Sequence, residues 1–158
     1  MKKLLICLCL LLSGCLSSGI KKDEVVTYER ERTQIDASWK AVETTKENLI
    51  VVLFYDENLS SHAYAVYEKG KGDLFNLSVS GTLPLETEEV IDYIWKDYHI
   101  YMSLNQNHIQ SYELYNNCDV TKGSLDGNKP FVLIFPNNAG EITFYTSDGR
   151  AIHGSSSI

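Results

Sequence analysis

Four histidines, His62, His99, His108 and His153, are the side chains in this sequence best suited to hold a metal or move a proton near neutral pH. Motif-built metal sites place their ligands three to five residues apart, and no two of these histidines stand that close. His99 and His108 flank Asn105 to Asn107, so a hairpin turning there would bring them towards each other. Among the acids Glu86, Glu88, Glu89 and Asp92, positions 88 and 92 share a face if the segment is helical, the spacing of a carboxylate pair for acid–base work. Such a run is also what a solvated first helical turn carries, favoured by the helix dipole. Gly123-Ser124-Leu125-Asp126-Gly127 lacks the Gly-x-Ser-x-Gly spacing of a nucleophile elbow. Gly70-Lys71-Gly72 reads as a reversal between strands, whereas a phosphate loop must open a helix. No catalytic or metal motif is assembled in sequence, and the chain calls for no cofactor.

One cysteine does carry a chemical signature. Lys2 and Lys3 form a short positive end, and Leu4 to Leu12 follow as an apolar run too short to cross about 30 Å of hydrocarbon as a helix. The run closes on Leu12-Ser13-Gly14-Cys15. This resembles the lipobox of bacterial lipoproteins, in which a leucine and two small residues precede the cysteine that becomes the lipidated N-terminus. The resemblance implies a signal peptide at 1–14, diacylglyceryl transfer to the Cys15 thiolate, and attachment to the outer side of a bacterial membrane. A thiolate is the required nucleophile, and two acyl chains, each contributing about 0.8 kcal/mol per buried methylene, anchor stably where one would be marginal.

Processing there accounts for three of the four cysteines: Cys7 and Cys9 leave with the signal and Cys15 takes lipid. Cys118 remains, reads as a small, partly buried residue in a polar turn, and has no partner for an internal disulfide. Lys2 and Lys3 also leave, so the formal charge moves from −7 to −9. An acidic field of that size repels nucleic acid and anionic lipid headgroups, and no basic cluster interleaved with aromatics offsets it, so nucleic acid is not expected as a partner.

What must position any site is one domain, since residues 15–158 suffice to bury a core without staples. Residues 15–27 read as the lipidated cysteine and a polar tether, and 28–158 as a single β-rich body. Tyr28, Ile35, Trp39 and Val42 recur at helical spacing and predict one amphipathic helix. Leu49 to Tyr55 is apolar on both alternating faces, the pattern of a strand covered on two sides. Strands follow near 63–68 and 74–79, with a reversal at Lys69 to Asp73. Thr82 to Thr87 reads as a loop, and 88–96 fits a helix or a strand. Tyr98 to Leu104 and Ile109 to Leu114 predict a hairpin about Asn105–Asn107. Phe131 to Phe135 and Ile142 to Tyr145 predict a second, with Thr121 to Lys129 a polar loop between. The fold class expected is α+β, an N-terminal helix on a mainly antiparallel sheet of about seven strands, with a small barrel or sandwich as the alternative.

Ten tyrosines remain as binding chemistry, because a phenol joins apolar area to a hydrogen-bonding tip. Tyr64, Tyr67, Tyr98, Tyr101 and Tyr112 fall on expected strands and are the candidate face for a protein or a small apolar ligand. The sequence therefore points to a lipid-anchored extracytoplasmic binding or interaction domain. A small envelope hydrolase, or an immunity-type or structural surface protein, is the alternative.

Overall fold

The computed structural model describes residues 19–82 and 90–156. In chain order they form β1 (Ile20–Lys21), a single 3-10 turn (Lys22–Glu24), α1 (Val25–Thr33), β2 (Lys40–Lys46), β3 (Leu49–Tyr55), β4 (His62–Lys69) and β5 (Leu74–Gly81). Then come β6 (Ile91–Trp95), β7 (Tyr98–Ser103), β8 (Ile109–Asn116), β9 (Asp119–Ser124), β10 (Phe131–Pro136), β11 (Glu141–Thr146), β12 (Ala151–Ile152) and β13 (Ser155–Ser156). Three sheets result, ordered β1-β5-β4-β3-β2 (sheet A), β10-β7-β6-β13 (sheet B) and β12-β11-β8-β9 (sheet C). All pairings are antiparallel except β13 on β6.

The sheets and the helix stack in layers. Alternation along β3 sends Ile50, Val52 and Phe54 towards α1 and Leu49, Val51 and Leu53 towards sheet B. Sheet B repeats the arrangement: Ile100, Met102, Val132 and Ile134 face sheet A, while Tyr101 and Phe131 face Ile142 and Phe144 of sheet C. Sheets A and B curl together along β2 and β10 into a half-barrel, where the Thr44 hydroxyl donates to the Val132 carbonyl at 2.7 Å. The expected antiparallel character and the doubly covered strand at 49–55 are present.

Several expectations are corrected. The protein is mostly β with one short helix, and among the described residues ten strands have five or more residues, not about seven. The helix does not run to Val42; it stops at Thr33, where Gln34 turns left-handed (φ 55°) and its N–H caps the Arg30 and Glu31 carbonyls. Asp36 then accepts from the Ser38 N–H, and β2 begins at Lys40. Ile35 and Trp39 pack in the helix layer while Val42 packs in the opposite one, so their helical spacing is coincidental. What α1 buries is Val25 and a charged residue, Glu29. Of the two forms that 88–96 fits, residues 91–95 take the strand. The loop expected at Thr82–Thr87 lies almost wholly outside the described residues.

Neither late hairpin exists. β7 pairs with β6 and β10, β8 with β11 and β9, so the chain at 104–108 crosses between sheets rather than reversing within one. Asn105 makes this crossing possible. It is buried and left-handed (φ 56°); its side-chain oxygen accepts from the Ile109 N–H at 2.7 Å, and its amide donates to the carbonyls of Ile109, Asp126 and Lys129. A buried corner must satisfy its backbone groups without a ladder, and one asparagine does so for four. The chain returns to sheet B between β9 and β10 and crosses to sheet C again between β10 and β11, where Gly140 (φ 113°) lies against the Tyr115 carbonyl and leaves no room for a Cβ.

Asn105→Gly keeps the left-handed backbone and removes only these hydrogen bonds, so denaturant titration is expected to show about 2–3 kcal/mol lost. Unchanged stability would contradict the corner's role.

Candidate functional site

The structure distributes the five candidate tyrosines over three layers. Tyr64 and Tyr98 pack between sheets A and B, Tyr64 against Tyr93 at 5.7 Å and Tyr98 donating to Glu47 at 2.8 Å. Tyr67 is fully buried between α1 and sheet A. Its hydroxyl donates to Glu29 at 2.5 Å, and Arg32 grips the same carboxylate with two N–H groups at 2.9 and 2.6 Å. Burial, then the bond to Glu29, holds the Tyr67 phenol protonated well above its usual range. Tyr101 and Tyr112 meet Phe135 and Phe144 between sheets B and C. The Tyr112 ring covers Gly123, its cross-strand partner on β9, where a side chain would collide with it. Cys15 lies outside the described residues.

The outward face of sheet C carries phenols that sequence reasoning passed over. Tyr115 and Tyr145 both donate to Glu113, whose other oxygen meets Lys122, and Val120 stands opposite Tyr115. Lys122 first, then Tyr115, holds the Glu113 carboxyl below its ordinary value. Tyr115 is 39% and Val120 48% exposed, more than any of the five tyrosines above. Cys118 occupies the turn between β8 and β9 and is exposed and free, not partly buried.

Two clefts gather titratable groups. In a cleft of about 250 Å³ between sheets B and C, His99 Nδ1 lies 2.9 and 3.0 Å from the two oxygens of Asp92. A carboxylate only accepts, so Nδ1 carries a proton, and in the neutral ring the lone pair is then on Nε2. The imidazole stacks on Tyr101 (centroids 6.0 Å apart), and burial, then the Asp92 charge, raises the Tyr101 phenol. Glu141, His153 and Gly154 also line it. This is a base oriented by an acid, two parts of the constellation that hydrolytic nucleophiles use. The approach of His99 and His108 that a hairpin would allow has no hairpin to bring it about, and His108 turns to the Gly127 carbonyl at 3.0 Å. Asp92, in a segment whose sequence fits a helix or a strand, lies on a strand diagonal to His99. The signal was the two-residue turn Lys96-Asp97 between alternating residues, which sets both side chains on one face. Among the described residues no group of three or more His, Cys, Asp or Glu side chains is placed to hold a metal.

A larger cleft of about 470 Å³ opens where the turns of sheets A and B meet, lined by Asn48, Glu68, Lys69, Lys96 and Tyr98 among others. Glu68 is its hub, accepting from Ser78 at 3.0 Å, the Trp95 indole at 3.0 Å and Lys96 at 2.8 Å. Burial works to raise the Glu68 carboxyl, and these bonds outweigh it, holding the group below its ordinary value. Comparison of the chain with protein-family models, with curated proteins and with solved structures finds no match.

Long-range 15N–1H correlation spectra at pH 8 are expected to show the His99 ring protonated at Nδ1 in the native protein and this preference lost in Asp92→Asn. An Nε2-protonated ring in the native protein would refute the pairing.

Proposed function

We propose that this chain is a lipid-anchored extracytoplasmic bacterial lipoprotein whose folded part is a noncatalytic interaction domain. The observation that carries the reading is the order of the first fifteen residues, a positive pair, an apolar run and Leu12-Ser13-Gly14-Cys15. Interaction through a protein partner is supported by the outer face of sheet C, where exposed Tyr115 and Val120 flank the Glu113–Lys122 ion pair. Aromatic area beside a polar pair is the composition favoured at protein interfaces.

A second reading, a small envelope hydrolase, is favoured by one observation, the Asp92–His99 pair in its cleft. In that case His99 is the general base and Asp92 its positioning residue. The two readings part on His99→Gln, which leaves partner binding intact under the first and abolishes turnover of the substrate under the second.

The anchor is tested by Cys15→Ser with membrane fractionation and fatty-acid labelling. The expected outcome is loss of acyl label and release of the variant from the membrane fraction; a variant equally labelled and retained would overturn the reading.

A further inference from the structure

The length of chain between the lipid and the fold limits how the domain sits. Only Leu16, Ser17 and Ser18 separate Cys15 from Gly19, so these four steps span at most about 14 Å. Gly19 itself is fixed against the fold: a Cβ there would meet Leu74 and Asn76, and the Asn76 amide also lies against Gly70. β1 follows at once, pairing Ile20 with Phe75 and Lys21 with Leu74. β1 runs towards the Gly70–Asp73 turn, so Gly19 stands beside Asn76, two residues in from β5's first residue, and a tether of about 14 Å keeps the anchor within reach of that end of sheet A, which also holds the Glu47–Asn48 and Lys96–Asp97 turns and the 470 Å³ cleft.

Charge singles out the same end. Lys21, Lys22, Lys46, Lys69, Lys71 and Lys96 all belong to these turns or to β1 and its continuation, and all are exposed. They are half of the twelve cations in residues 15–158, and six acids accompany them: Asp23, Glu24, Glu47, Glu68, Asp73 and Asp97. The two sets cancel at this end of sheets A and B, whereas the other described residues carry twelve acids against six cations, a charge of −6. Near an anionic surface such a distribution has one favoured orientation, with the balanced end inward and the acidic remainder away. Long lysine side chains reach beyond the shorter acids towards headgroup phosphates.

We propose that this turn end of sheet A is the face the domain turns to the bilayer, with its lysines on anionic lipid phosphates. The proposal rests on lipidation at Cys15. It places Trp95, bonded to Glu68 at the turn end, near the headgroups. Trp39 precedes Lys40, which pairs with Tyr55 at the opposite end of the sheet, so the length of β3, about 20 Å, sets it away from the membrane.

The chain's two tryptophans make the test. The full lipidated protein is reconstituted into mixed phosphatidylcholine and phosphatidylglycerol vesicles containing a shallow spin-labelled phospholipid. Trp39→Phe reports Trp95 and Trp95→Phe reports Trp39. The expected result is quenching of Trp95 several-fold stronger than that of Trp39. Equal quenching, or stronger quenching of Trp39, in vesicle-bound protein overturns the orientation while leaving the anchor standing. Failure of the wild-type protein to sediment with vesicles overturns the anchor and the orientation with it. Amine labelling of the wild-type protein gives the same answer without substitution: Lys69, Lys71 and Lys96 are expected to lose labelling on vesicles while Lys40 and Lys129 keep it, and uniform labelling overturns the proposal.

Discussion

Strand β3 is buried on both faces, and the rest of the molecule follows from that requirement. Six consecutive residues, Leu49 to Phe54, have at most 2% of their surface exposed. Each large apolar side chain removed from water contributes about 1.5–3 kcal/mol, so this strand accounts for burial of order 10 kcal/mol, comparable to the whole net stability of a domain. Neither face can be left open. One helix covers one side and a second sheet the other, and because that sheet is itself apolar on both sides, a third must follow.

The same stacking explains why polar groups lie so deep. A helix laid on a buried sheet has no solvated side near the contact, and Glu29, only 2% exposed, is kept there by Arg32 and the Tyr67 hydroxyl. A buried carboxylate without partners would cost several kcal/mol. At the far end of sheet B the polar corner at Asn105 lets the chain pass from one layer to the next. Sheet C ends the stack, and its outer face is therefore where phenols and an ion pair meet solvent.

Legibility in the sequence followed the range of the interactions. The meander β3-β4-β5 was readable because alternation and the Gly70–Gly72 reversal are local signals. Residues 98–114 resemble a hairpin equally well locally; that β7 and β8 belong to different sheets depends on Asn105 reaching carbonyls at 126 and 129, more than twenty residues on. The helix was extended too far because Ile35, Trp39 and Val42 serve opposite layers at a spacing that imitates one face. Of the candidate site, Cys15 was legible as a motif, whereas the Asp92–His99 pair needed the register of a turn carried by Lys96 and Asp97, residues that lack the usual turn composition. Tyrosines were readable as abundant but not as inward or outward, because that choice depends on which sheets are covered twice.

Native-state amide hydrogen exchange tests the layered account most directly. Residues 50–54 of β3 are expected to exchange only through global unfolding, with the slowest rates in the protein, while the exposed edge strand β9, residues 119–124, opens locally and exchanges much faster. Exchange of β3 as fast as that of β9 would contradict a fold built around a strand covered on both faces.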